Sequence, residues 1–208
     1  RDLRKLSIDI QAIRHIVISH EHWDHTGGLW YILRNNRNVS VHVCSHFSQD
    51  FRKKVLEHGC RLHEVTKTVQ ITDNIHSTGE LKGSYGNYTI FEQSLIIKEK
   101  ETIAVVTCFS HSLILRILSH IHAIHPEKIK LLTGGLHMMN QSVSEIRETA
   151  AAIDSLYGID TIAPFHCTGM KTIKEFEGYM LNIRRIKTGD SFIFDNTTSR
   201  WEFTGKTR

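Results

Sequence analysis

The apolar run Ile16-Val17-Ile18-Ser19 leads directly into His20-Glu21-His22-Trp23-Asp24-His25, which packs three imidazoles and an aspartate into six residues. No other feature constrains the chain as strongly. A short β-branched run reads as a buried strand. A cluster of ligand-type side chains at its end belongs where α/β folds build their sites, beyond the strand termini. His20 and His22 are two apart, so an extended backbone points both rings to one side. Asp24 and His25 follow where the chain turns into a helix. Neighbours in a turn point apart, so one pair can serve one ion and the other pair a second. Neutral imidazole and carboxylate suit zinc, iron or manganese, and zinc–nitrogen bonds of about 2.0–2.1 Å demand that kind of convergence. The competing reading is a polar surface turn. It fits poorly, because histidines rarely crowd so densely behind a buried strand.

The rest of the chain alternates strand and helix signals. A helix opens at Thr26-Gly27-Gly28 and runs to about Leu33, stopped by Asn35-Asn36. Val39–Val43 reads as a strand and Gln49–Glu57 as a helix. Gly79, Gly83 and Gly86 suggest loops around residues 79–87. Tyr88–Lys98 and Thr102–Thr107 suggest a hairpin turning near Glu99-Lys100. Leu113–Ile124 is helical and ends before Pro126. Ile129–Leu132 is a strand stopped by Gly134-Gly135. Val143–Tyr157 is a helix with a Ser142/Glu145 capping box. Ile159–Ala163 is a strand, Thr172–Met180 a helix and Ser191–Asp195 a terminal strand. The expected architecture is α/β, with an early hairpin-rich region followed by alternation. His111, His137 and His166 share with His20 a position just after an apolar run.

Composition narrows the function. The 208 residues, 40% apolar, suffice for one core. No apolar run approaches a membrane span, and nothing after Arg1-Asp2-Leu3-Arg4-Lys5 resembles an export signal. The net charge of +4 comes from 26 basic and 22 acidic residues, scattered along the chain. That argues against a nucleic-acid groove and is compatible with a small anionic substrate. Cys44, Cys60, Cys108 and Cys167 form no Cys-x-x-Cys pair, so free thiols in a reducing, cytoplasmic compartment are expected. Of the 15 histidines, His120, His122 and His125 suit a helix C-terminus, and His42, His46, His58, His63 and His76 read as surface or loop residues. Cys167 reads as small buried packing. Glu92, on an expected strand, suits an ion pair or a hydrogen bond behind the ligands.

His-x-His-x-Asp-His followed by Thr26-Gly27-Gly28-Leu29 resembles the signature of the metallo-β-lactamase superfamily. Ser77-Thr78-Gly79-Glu80, Phe91-Glu92-Gln93-Ser94-Leu95, Ser110-His111, Gly134-Gly135-Leu136-His137 and Pro164-Phe165-His166-Cys167-Thr168-Gly169 follow in the order of one branch. That branch contains the methanopterin-pathway dihydropterin-methyl-ribofuranosylaminobenzene-phosphate synthases and uncharacterised relatives. The resemblance spans about residues 8–195. It implies an αββα sandwich over 1–208, a single domain lacking its first N-terminal strands and their Asp-Thr-Gly-like turn. It implies two divalent metal ions, zinc foremost. His20, His22 and His111 would hold one, and Asp24, His25 and His166 the second. No Asp stands where the superfamily has its bridging carboxylate, and His137 is the candidate to replace it as a ligand or a substrate contact. Thr168 and Gly169 would meet a substrate anion. The branch usually has Gly-Cys-Ser-His-Pro-Gly around the third histidine. Here Phe109 and Leu113 replace small residues, which implies a narrower pocket or a different substrate.

The expected reaction is hydrolysis of an ester or phosphoester. Bound metals lower the pKa of water from about 15.7 towards about 7, giving hydroxide at neutral pH, with Asp24 orienting it or accepting its proton. The branch implies an alternative, a transferase that releases pyrophosphate. A flavodiiron-type redox protein would usually carry Glu at His22. A metal-binding module with little catalysis is the remaining alternative. No nucleic-acid or membrane partner is expected.

Overall fold

The computed structural model describes residues 2–179 and 182–205. A helical turn, α1 (Asp2–Lys5), precedes β1 (His15–Val17), α2 (Trp23–Thr26), α3 (Leu29–Asn35), β2 (Ser40–Cys44), α4 (Gln49–Glu57) and β3 (Arg61–Val65). β1, β2 and β3 pair in parallel as a three-stranded sheet. Parallel pairing needs crossovers, which α3 and α4 supply. These helices bury Leu29, Leu33, Phe51 and Val55 with Val41 and Val43 of β2. Ser48 caps α4 by accepting the amide of Phe51 (3.2 Å), which fixes its start where expected.

The hairpins come next, in mid-chain rather than early as expected. β4 (Lys67–Thr72), β5 (Ile75–Gly79), β6 (Leu81–Tyr85), β7 (Tyr88–Glu92), β8 (Leu95–Glu99) and β9 (Thr102–Thr107) follow one another without a helix. The loop expected over 79–87 is instead the end of β5, all of β6 and a tight turn at Gly86. The expected strand Tyr88–Lys98 breaks at Gln93-Ser94. Its first half pairs with β6 in a separate ribbon, and its second half pairs with β9. Glycine here does not break strands. It lets backbones touch: a Cβ on Gly83 would lie 2.5 Å from the carbonyl carbon of His111.

Alternation resumes with α5 (Ile114–Ile124), β10 (Lys128–Gly134), α6 (Val143–Tyr157), β11 (Thr161–Pro164) and α7 (Met170–Glu177). The Ser142/Glu145 capping box is present, and Gly158 ends α6 in the left-handed conformation. α7 begins before Thr172 and ends at Glu177, and Met180 lies outside the described residues. A ribbon of β12 (Phe192–Asp195) and β13 (Arg200–Phe203) closes the described fold.

The large sheet has the order β11-β10-β9-β8-β5-β4. Its core joins Ile103, Val105 and Leu132 to Ile117 of α5, Ile146 of α6 and Phe176 of α7. Buried Gln93 ties the sheets together. It donates to the carbonyls of Ile18 (2.9 Å) and His42 (3.2 Å) and accepts from Ser77 Oγ (2.6 Å). Helix-backed sheets joined in this way form the expected αββα architecture. β9, β10 and β11 run parallel, so His111, His137 and His166 emerge at one edge. All four cysteines are free. No helix among the described residues is long and apolar enough to cross a membrane.

Candidate metal centre

β1 ends at Val17, the chain bends at His20, and His22 is extended (φ −78°, ψ 148°) before α2 begins. The rings of His20 and His22 come together, with His20 Nε2 3.1 Å from His22 Nδ1. His111, beyond β9, completes a first set, its ring centroid 4.9 Å from that of His20 and 5.0 Å from that of His22. Asp24 and His25, on α2, meet His166 beyond β11. Asp24 Oδ2 lies 3.5 Å from His25 Nε2 and 3.8 Å from His166 Nε2. Within each set one donor atom per residue lies within 4.8 Å of the others. The sets adjoin where the rings of His20 and His25 stand 4.1 Å apart.

The most buried donors are held in the form a cation needs. His20 is fully buried, and burial, aided by the neighbouring imidazoles of His25 and His111, lowers its pKa to about 2. Burial likewise holds His111 at about 4, with His137 and His22 contributing. Both rings are thus neutral at pH 7, as ligation requires. Ser19 Oγ at 3.0 Å engages His20 Nδ1, which leaves Nε2 for the site. Both ring nitrogens of His111 and Nε2 of His25 are buried without a hydrogen-bond partner. Unsatisfied buried polar atoms of this kind call for an ion or water, so the residues fit metal binding.

A carboxylate holds the His111 loop. Glu92, 2% exposed, accepts the amides of Ser110 (3.1 Å) and Ser112 (2.7 Å) and the Ser112 hydroxyl (2.6 Å). The expectation of a hydrogen bond behind the ligands describes this arrangement; no cation is among these partners. Ser110 Oγ also donates to the Gly135 carbonyl (2.6 Å).

The remaining expected residues fall out differently. His137 joins neither set. Its backbone is left-handed (φ 51°), and its ring faces His111 at 4.9 Å. Burial lowers its pKa. Gly134 and Gly135 show why no side chain stands at the usual place of the bridging carboxylate. A Cβ there would lie 1.9 Å from the Thr107 carbonyl oxygen or 2.3 Å from that of Cys108. Thr168 is a correction: it is fully buried, and its hydroxyl donates to the Phe165 carbonyl (2.8 Å) and accepts the Leu136 amide (3.0 Å). With both capacities used and no exposure, it braces the His137 and His166 loops and is closed to a substrate anion. Gly169, at φ 81° against Met139, starts α7. Cys167 is buried and donates to the Phe109 carbonyl (3.2 Å).

His42 was expected at the surface but is 7% exposed, stacked on His63 at 4.7 Å and 3.1 Å from His15. His46 stacks on Phe91 at 3.7 Å. Sequence reasoning missed Ser19 and Tyr85, whose ring edges His22 at 4.8 Å. Ser19 adjoins the ligand run and could have been suspected. Tyr85 carried no signal, because its strand was read as loop.

A model of the Metallo-beta-lactamase superfamily matches residues 1–49. A solved metal-dependent hydrolase of the beta-lactamase superfamily superposes with a TM-score of 0.73 at 26% identity, covering 90% of this chain and 81% of that one. This is a metallo-β-lactamase fold. A possible metal-dependent hydrolase from Veillonella parvula shares the fold at 12% identity and a TM-score of 0.53, over 91% of this chain and 78% of that one. The resemblance to the synthase branch also has a sequence counterpart. The 7,8-dihydropterin-6-methyl-4-(beta-D-ribofuranosyl)-aminobenzene-5'-phosphate synthase of Methanocaldococcus jannaschii is 22% identical, covering 90% of this chain and 78% of that protein. In the metallo-β-lactamase fold seen here, both donor sets lie at the shared edge of the two sheets.

Proposed function

We propose that the chain is a metal-dependent hydrolase with a dinuclear centre, acting on an ester or phosphoester of a small anionic substrate. His20, His22 and His111 hold one ion, and Asp24, His25 and His166 the other. The observation that carries this reading is the meeting of two three-donor sets at the His20–His25 contact of 4.1 Å. Two divalent cations, zinc foremost and iron or manganese otherwise, would there supply Lewis-acid activation of water and of a substrate oxygen.

The chain's own residues do the rest. Ser19 fixes the His20 ring, and Glu92 fixes the loop of His111. Asp24, with its side chain about a third exposed (34%), is the carboxylate able to orient an attacking water and take up its proton. A cavity of about 480 Å³ beside His166 and one of about 290 Å³ beside His22 flank the centre. Arg185 lines the first, but Glu177 holds it through two hydrogen bonds of 2.9 Å. An anion held there would be met by the metal ions and by the backbone of Gly169, which lines the same cavity. The solved hydrolase of the same fold supports this reading.

The likeness to the Methanocaldococcus jannaschii synthase along 90% of the chain favours a second reading, a transferase that releases pyrophosphate. Zinc- or manganese-loaded protein is assayed on phosphodiesters, thioesters and lactones, and on a dihydropterin diphosphate with pyrophosphate detection. Turnover of the first group, lost in His22→Ala, is the expected result. Pyrophosphate release alone moves the assignment to the transferase, and no turnover of any compound sinks the hydrolase.

A further inference from the structure

Phe109 lies where the two donor sets meet. Its ring stacks on His111 with centroids 4.2 Å apart and planes 11° from parallel. Its centroid is also 5.6 Å from that of His20, 5.8 Å from His25 and 5.4 Å from His166, and 4.6 Å from His137. The ring therefore contacts members of both sets, and it belongs to neither apolar core cluster. Its backbone is anchored from two sides. Cys167 donates to its carbonyl (3.2 Å), and the next residue, Ser110, is held by Glu92 at φ 70°. The residue is only half-buried, so the ring is partly open beside the donor sets it touches.

A phenyl ring neither ligates nor hydrogen-bonds. Placed here, it acts by shape. A group that spans both donor sets would lie against this ring, which touches members of each. A bulky substituent near the ligating atoms must displace a ring already stacked on His111 and packed against His137. Overfilling a packed space is unfavourable, because side chains and backbone must shift to make room.

We propose that Phe109 is a specificity-determining residue: an apolar plate across both donor sets that admits slim ligand heads to the ions and excludes ligands carrying a bulky group beside the ligating atoms. The proposal rests on the metal-centre reading above. It is tested on the cobalt(II)-loaded protein by following visible absorption during titration with azide, a slim anion, and with phenylphosphonate, a bulky one. Phe109→Ala is expected to strengthen phenylphosphonate binding by about tenfold or more while azide changes by less than about threefold. Phe109→Leu keeps apolar contact with the imidazoles and carries the test if the alanine variant does not fold. It is expected to give a smaller gain with the same selectivity. Equal changes for both probes, or no gain for phenylphosphonate in a folded variant, overturn the proposal. Failure of the wild-type chain to take up cobalt overturns the metal centre and the proposal together, whereas cobalt uptake with an unchanged probe ratio overturns the proposal alone.

Discussion

Replacing Glu92 by glutamine separates the support of the metal centre from the support of the fold. The buried carboxylate gathers two backbone amides and a hydroxyl, at 3.1, 2.7 and 2.6 Å. Between and beside these contacts, Ser110 and Leu113 are held at φ 70° and 72°. A left-handed conformation costs a non-glycine residue about 1–2 kcal/mol, so the loop stays wound only because something holds it. Glutamine matches the size but offers one oxygen. Its amide nitrogen must face at least one of the donors, and a buried N–H left without an acceptor costs about 1–3 kcal/mol. Stability to urea should fall by that amount.

The loop is then free to relax, and His111 moves with it. Since about 1.4 kcal/mol is a factor of ten, the set of His20, His22 and His111 should lose about tenfold in cobalt affinity. The set of Asp24, His25 and His166 should keep its own, because it hangs from α2 and from the loop after β11. Cobalt titrations in His166→Ala and His22→Ala backgrounds isolate the two sets. A loss of stability with both sets weakened equally, or with neither weakened, would refute the argument and leave Glu92 as a residue of the fold only.

Three further outcomes follow from the packing. Gly134→Ala sets a Cβ 1.9 Å from the Thr107 carbonyl oxygen at φ 129°, so β10 must shift, with a loss of about 1–3 kcal/mol in a urea or thermal melt. Ser142→Ala removes the side-chain acceptor of the Glu145 amide and should cost about 1 kcal/mol by the same measurement, with the metal sets untouched. His42 is held neutral down to about pH 4 by burial and by the imidazoles of His63 and His15, while the unfolded ring protonates near 6.5. Between those values the unfolded chain binds the extra proton, so its contribution to stability is complete above about 6.5 and lost as the pH falls towards 4. His42→Gln should flatten that limb of a stability–pH curve, and an unchanged limb would show that His42 does not cause it.

How much of this was legible before the structure depends on how far each signal travels along the chain. Residues 20–25 could be divided into two pairs because strand and turn geometry act over neighbouring positions, and each pair lies within reach of a histidine from another strand end. The bounds of α4 and α6 match their expected ranges, because Ser48 and Ser142 cap amides three residues on. The middle of the chain was misread for the opposite reason. Gly79 and Gly83 resemble loop residues to a local reading, yet each lies in a strand where another backbone presses in. Lys67 and Thr68 press on Gly79, and His111 and Ser112 press on Gly83. Buried His42 was misjudged in the same way, since its partners His15 and His63 come from other strands, and the Leu136 amide bonded to Thr168 comes from another loop. Gly83 shows what this meant for the site. Its missing side chain lets β6 lie against the backbone of His111, and that strand ends at Tyr85, beside His22. The glycine that suggested a loop is thus a packing condition for the third histidine of the first set, and nothing adjacent to it in sequence could have indicated that.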